Sequence, residues 1–266
     1  MRARSWIPAV VALLAYVLLW VAWAAGAPAV AAIDRALLDG AVSLAAGRPG
    51  WVQGWDAFCR AGSPAVLRVL LIAPIIWLGV RRRWRAALFL LVAGEGSGLV
   101  DTLAKALAQR PRPAGALVPA WGSSFPSGHA LGTLVIVLAV LAVVLPHVGP
   151  RSRALLSAVG LLFAMAIGVG RVMLLVHHPS DVLAGWLLGY AFFTLCRGIL
   201  GPSSTAARVP SPTTTAPSPS GASSTSPRRV RASRGGATRH ETGDVADEAD
   251  RPEDSDRTHR RGTHGE

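Results

Sequence analysis

Long apolar runs dominate the first two hundred residues, and polar residues are confined to short islands between them. A run of about 20 mostly apolar residues is long enough to cross a bilayer as a helix. Six runs meet or approach that length: about Trp6–Ala27, Pro64–Val80, Ala86–Leu107, Ala130–Leu145, Ala154–Val169 and Val182–Leu200. The first follows a basic leader, MRARS, in the manner of a signal peptide; with five more spans behind it, it reads as a first transmembrane helix. The fourth and fifth are short for a full crossing and have flanking motif residues into which to extend. The pattern predicts an all-α integral membrane bundle of six transmembrane helices over residues 1–200.

Between the first two spans, residues 28–63 leave two readings open. Ile33, Leu37, Leu38, Ala41 and Leu44 recur at roughly helical spacing, followed by Trp51, Trp55 and Phe58. Short helices lying at headgroup depth would produce this pattern, and so would an ordinary packed loop. The third span is unusually polar. Glu95, Gly98, Thr102 and Lys105 fall on one helical face, which is expected to turn into the bundle. The small residues of GEGSG (Gly94–Gly98) read as a close helix contact rather than a phosphate loop. Beyond Gly201 the chain becomes rich in Ser, Thr, Pro and charge, with almost no apolar content, and residues 201–266 are expected to be disordered. No internal repeat alters this division.

Composition agrees with a membrane protein: 51% of the 266 residues are hydrophobic, only 16% are charged, and mean hydropathy is positive. The net charge of +12 would suit nucleic acid, but the arginines cluster at the ends of apolar runs, as membrane topology places them. No nucleic-acid partner is expected. Cys59 and Cys196 have neither a close pair nor metal-ligand spacing and read as packing or loop residues. One basic residue stands apart: Lys105 is the sole lysine, and it lies in a polar motif.

The loops after the third and fifth spans must lie on one side, and they hold all the polar islands. The opposite side receives Arg2, Arg4, the arginines of Arg81–Arg85, Arg151 and Arg153. The positive-inside rule makes that second side cytoplasmic, so the islands face outward and the tail lies in the cytoplasm.

Three islands carry the chemistry: KALAQRPRP (Lys105–Pro113), FPSGH (Phe125–His129) and RVMLLVHHPSD (Arg171–Asp181). Lys105, Arg112 and Arg171 bring three cations to one membrane face, which suits the spread charge of a phosphoryl transition state. Ser127 and Gly128 stand where the fourth helix begins, and free amides at a helix N-terminus favour an anion. Asp181 lies within a helical turn of both His177 and His178, so it can fix the tautomer of either ring and leave its other nitrogen free to attack. His129 offers a second imidazole for proton transfer.

The ordered set KxxxxxxRP, PSGH and RxxxxxHxxxD resembles the three-part signature of the type 2 phosphatidic acid phosphatases, within the acid phosphatase and vanadium haloperoxidase superfamily. The resemblance covers about residues 60–200. It implies His177 as a nucleophile forming a phosphohistidine, Asp181 as its orienting group, and His129 as the acid that protonates the leaving group and then activates water. It implies Lys105, Arg112, Ser127, Gly128 and Arg171 as phosphate ligands, and it selects His177 over His178. It implies no metal and no cofactor, and the motifs hold no acidic cluster suited to magnesium. Gly170 departs from the pattern, since many members carry serine there.

The expected activity is removal of a terminal phosphate from a lipid phosphate or diphosphate at the outer face of a bacterial membrane. Polyprenyl diphosphate is favoured over phosphatidic acid and phosphatidylglycerophosphate. Transfer to an acceptor other than water, and a catalytically silent binding or transport protein, are the rival readings. The partners expected are the lipid phosphate and surrounding membrane lipids.

Overall fold

The computed structural model describes residues 6–200. The basic leader and the tail expected to be disordered lie outside the described residues. Eight α-helices follow in order: α1 (Ile7–Ala24), α2 (Pro28–Ala45), α3 (Pro49–Ala61), α4 (Pro64–Val80), α5 (Trp84–Ala108), α6 (Gly128–Val144), α7 (Pro150–Met173) and α8 (Pro179–Cys196). Five of them open on proline, which cannot donate an amide hydrogen bond and is pre-set for a first helical turn. Each proline therefore marks a start that periodicity alone leaves blurred. The α4 start is also capped, Ser63 Oγ accepting from the Val66 amide at 3.3 Å.

Six helical stretches are long and apolar enough to cross a membrane: Ile7–Ala24, Pro49–Val80, Trp84–Ala108, Gly128–His147, Pro150–Met173 and Pro179–Leu200. The expected all-α bundle of six spans is what the described residues form, with no strand among them. The second stretch runs back through α3, interrupted at Gly62–Ser63. The segment between the first two spans is helical, as α2 and α3. Trp51, Trp55, Phe58 and Phe163 form a chain of edge-on aromatic contacts with centroids 5.8–6.0 Å apart, joining α3 to α7. On α2, Ile33 and Leu37 stay exposed while Asp34 and Ala41 are buried.

The third span corrects one expectation. Its inward face is Ala93, Gly94, Ser97 and Ala104, whereas Glu95 and Thr102 are exposed. The reason is Arg68 of α4, whose Nε donates to the Gly94 carbonyl at 2.9 Å and whose Nη2 donates to Ser97 Oγ at 3.3 Å. That guanidinium takes the polar face of α5 for itself and leaves Glu95 outside.

Helix α6 is the hub, packing against α4, α5, α7 and α8. Its closest partner is α8, through Gly185 and Gly189, four residues apart. A Cβ on Gly185 would lie 2.6 Å from the Ser127 carbonyl oxygen, and one on Gly189 would lie 3.0 Å from that of Leu131. These glycines let the two backbones touch, as small-residue pairs do in membranes. The contact carries functional weight because it brings the start of α6, with Ser127–His129, against the start of α8, with Asp181.

Candidate active site

The loop between α5 and α6 is stitched to itself and to the turn before α8. Gln109, in the left-handed region at φ 49°, ends α5. The Ser124 amide then donates to the Arg110 carbonyl (2.8 Å), Ser124 Oγ to the Pro111 carbonyl (3.0 Å), and the Ser127 amide to the Asp181 carbonyl (2.9 Å). The Leu117 amide reaches the Leu174 carbonyl at 3.1 Å. These bonds draw the three polar islands together at one end of the bundle. The arginine-rich loops lie at the other end, where Arg83 meets His147 at 3.1 Å and Arg85 donates to the Ile199 carbonyl at 3.0 Å.

His177 sits in the turn between α7 and α8, 2% exposed. Its Nδ1 lies 2.8 Å from the Ser124 carbonyl oxygen. A carbonyl only accepts, so Nδ1 carries the proton and Nε2 keeps its lone pair. Arg112 Nη1 lies 3.4 Å from that Nε2, anchored at 2.7 Å to the Val176 carbonyl, while Arg112 Nη2 donates to the Trp121 carbonyl at 2.8 Å. Burial pushes the His177 pKa down to about 4; Asp181 opposes the shift, and the charges of Arg112 and Arg171 add to it. The ring is therefore neutral at neutral pH.

Asp181 is placed differently from the expectation. Its Oδ2 is 3.7 Å from His177 Nδ1, beyond hydrogen-bond range, but accepts from the His178 amide at 2.8 Å and lies 3.2 Å from His178 Nδ1. Its Oδ1 accepts from Arg110 Nη1 at 2.6 Å. The direct orienting bond to His177 comes from a backbone carbonyl, and Asp181 acts on that ring through its charge. The cause is helix geometry. Asp181 occupies the first turn of α8, so its carboxylate closes back on the amide before the helix.

The phosphate ligands expected from the sequence gather around this histidine. Arg171 closes the last turn of α7 at 8% exposure, where helix carbonyls favour a cation. Burial and then the charge of Arg171 lower the pKa of Arg112, the mark of two guanidinium groups held close together. His129 lies within electrostatic reach of Arg171, His177, Lys105 and Arg112. Lys105 Nζ donates to Asp101 Oδ2 at 2.8 Å. That carboxylate lies against Gly128, where a Cβ would come within 2.5 Å of Asp101 Oδ2. Glycine in PSGH thus makes room for the Asp101–Lys105 pair at the start of α6. Ser127 does not cap α6 with its side chain.

Among the described residues four buried donor atoms have no partner, and three of them belong to expected phosphate ligands: Arg112 Nε, Arg171 Nε and Ser127 Oγ; the fourth is Trp186 Nε1. Buried donors are normally satisfied. The three ligand donors come from the α5–α6 connection and the end of α7, beside a neutral imidazole, an arrangement that suits an anion. Among the described residues no group of three or more His, Cys, Asp and Glu is placed to hold a metal ion.

Several functional neighbours escaped the sequence reading. Arg110, Asp34 and Ser180 form a buried polar cluster behind Asp181, and Ser124 meets His177 through its backbone carbonyl alone. Asp34 had one visible signal, an acidic residue inside an apolar segment of helical period. Gly170 is explained by Cys59 and Trp55: a Cβ there would lie 2.5 Å from Cys59 Sγ and 2.7 Å from the Trp55 ring. The room a serine would need is filled from α3. Cys59 and Cys196 are both buried and unpaired.

Fold and site together define a helical membrane protein with a histidine-centred anion site. Residues 84–203 match the PAP2 superfamily. Over 177 residues the chain is 29% identical to phosphatidylglycerophosphatase B of Bacillus subtilis (strain 168), covering 64% of this chain and 84% of that protein. A 66-residue stretch is 41% identical to undecaprenyl-diphosphatase of Sulfolobus acidocaldarius, covering 25% of this chain and 28% of that protein. The crystal structure of a transmembrane PAP2-type phosphatidylglycerolphosphate phosphatase from Bacillus subtilis matches with a TM-score of 0.61 at 25% identity, over 71% of this chain and 94% of that one. Over residues 84–203 the chain is thus similar to the PAP2 phosphatases, and it is an integral membrane phosphatase.

Proposed function

We propose that this phosphatase hydrolyses the terminal phosphate of a lipid phosphate or diphosphate through a phosphohistidine on His177. The observation that carries the reading is the trio of unmatched buried donors, Arg112 Nε, Arg171 Nε and Ser127 Oγ, beside the free Nε2 of His177. The terminal phosphate takes those donors, with Lys105 and the Gly128 amide completing the cradle. His177 Nε2 forms a bond to phosphorus while the bond to the leaving oxygen breaks. His129 gives that oxygen a proton. It then removes one from water, which attacks the phosphohistidine and releases inorganic phosphate and neutral His177. No step calls for a metal ion.

The leaving group must lie on the His129 side. There a cavity of about 530 Å³ is lined by His129, Arg171, Asp56, Arg60, Val118 and Pro119. Arg60 brings a largely exposed guanidinium to this cavity, paired with Asp56 in the same lining. It suits substrates with a second phosphate beyond the scissile one, and polyprenyl diphosphate is the favoured candidate. The relatives named above act on lipids of that kind by their names. The arginine-rich end of the bundle is assigned to the cytoplasm, which turns the site outward.

The test is phosphate release by the detergent-purified full chain across a lipid panel with EDTA present, beside His177→Ala. Release that survives EDTA and is lost in the variant is the expected result. No release from any lipid, or equal release by the variant, overturns the reading; transfer to an added alcohol without phosphate release would make it a transferase.

A further inference from the structure

Behind the site lies a charge cluster that ties two of the motifs to Asp34, a residue outside all three. Arg110 is 5% exposed and Asp34 3%. Arg110 Nη1 donates to Asp181 Oδ1 at 2.6 Å and to Ser180 Oγ at 2.7 Å, and Nη2 donates to Asp34 Oδ2 at 2.8 Å. Asp34 in turn accepts from the Ser180 amide (2.9 Å) and Ser180 Oγ (2.6 Å). The Arg110 guanidinium also lies 5.2 Å from the centroid of the Trp23 ring on α1. One cation is thus held by two carboxylates and an aromatic face drawn from α1, α2 and α8.

We infer that Asp34 and Arg110 are positioning residues of the catalytic site, with the α1–α2 segment setting the Asp181 carboxylate that backs His177. The inference rests on the phosphatase reading above. Burying charges is costly, and an apolar filling of the same volume often serves stability as well or better. A cluster of three charges directly behind the nucleophile is therefore best explained by what it does to that nucleophile.

The chemistry follows from charge. When His177 Nε2 bonds to phosphorus, the ring becomes cationic, and the nearest compensating charge is Asp181, 3.7 Å from Nδ1. Arg110 fixes the plane of that carboxylate by holding Oδ1, but an arginine bound to Asp181 alone would also cancel its charge. Asp34 takes the other side of the guanidinium. The cluster of Asp34, Arg110 and Asp181 then keeps a net charge of −1 facing the ring. Arg110 lies inside the first motif, between Lys105 and Arg112, whereas Asp34 lies outside all three motifs and outside residues 84–203.

The experiment compares Asp34→Asn and Arg110→Lys with the parent full chain, using Asp39→Asn on the exposed side of α2 as the control. Each is measured for kcat and KM per folded protein and for affinity toward inorganic vanadate and inorganic phosphate. Vanadate takes the five-coordinate geometry of the transferring group. A displacement of about 1 Å at a reacting group can cost about a hundredfold. The expected result is a kcat lowered roughly tenfold to a hundredfold, with weaker vanadate binding, KM and phosphate affinity held within about twofold, and the control unchanged. Equal kcat and vanadate affinity in both folded variants overturns the inference. So does a loss that appears only as a smaller folded fraction, since that is a purely structural role. If one variant does not fold, the other decides. A parent chain that releases no phosphate from any lipid overturns the phosphatase reading instead, a separate outcome.

Discussion

The Ser124 carbonyl oxygen lies 2.8 Å from His177 Nδ1, closer than the Asp181 carboxylate at 3.7 Å. A backbone group on the loop before α6 therefore sets the tautomer of a ring on the turn before α8. That bond cannot be removed by changing the Ser124 side chain. Its consequence is a neutral, Nδ1-protonated ring with Nε2 facing the arginines.

Nitrogen NMR of histidine-labelled protein should report that tautomer for His177, with a titration midpoint near 4. The unfolded ring titrates near 6.5. Between those values the unfolded chain binds more protons, so stability from this group rises with pH across that window. It is fully present above about pH 6.5 and is lost as pH falls through about 4. A His177 resonance that titrates near 6.5 would contradict the burial argument.

The two adjacent histidines should separate cleanly. His177→Ala removes the proposed nucleophile, and kcat should fall by at least roughly three orders of magnitude. His178→Ala keeps the amide that donates to Asp181 at 2.8 Å. Its kcat should stay within about tenfold of the parent, because only the weaker 3.2 Å ring contact is lost. Steady-state phosphate release on both variants checks this, and a reversed order would reassign the nucleophile.

The α6–α8 contact offers a packing test. Gly185→Ala would place a Cβ 2.6 Å from the Ser127 carbonyl, a rigid backbone atom, while Gly198→Ala meets open space. Overpacking of this kind costs about 1–3 kcal/mol. Thermal unfolding in detergent should show a lower midpoint for the first variant, with reduced activity as Ser127 and Asp181 are pushed apart. The second should match the parent.

Gly170 is also closely packed, at a position where the chain departs from the family pattern. Gly170→Ser restores a hydroxyl that many members carry, yet its Cβ would meet Cys59 Sγ at 2.5 Å and Trp55 at 2.7 Å. The single variant should be destabilised and less active. Pairing it with Cys59→Ala should recover part of the loss, since one of the two obstacles is removed; double-mutant unfolding measurements give the coupling.

Arg60 tests substrate class. It lines the cavity beside His129 and pairs with Asp56, with its side chain 74% exposed. Arg60→Ala should raise KM roughly twofold to fivefold for diphosphate and phosphatidylglycerophosphate lipids, the scale expected of a cation in water. Phosphatidic acid, with no second phosphate, should be unaffected. Equal effects on all three lipids would remove Arg60 from the leaving-group side.

The spans and the three motifs were legible in the linear chain because both are local. Apolar runs declare a membrane helix by length, and Lys105, Arg112, Ser127, His129, Arg171, His177 and Asp181 are spaced within short segments. The helical pattern of α2 was visible too, but its register against the bundle was not. Glu95 shows the limit: its helical face was read correctly as polar, yet Arg68 from the next helix claimed a different strip of α5. Tertiary structure alone decided which group orients His177, why Gly170 replaces serine, and that Asp34 meets Ser180 across 146 positions of chain. The physical reason is the same each time. Burial makes every polar atom find a partner or cost free energy, and which partners are within reach depends on how helices far apart in sequence pack.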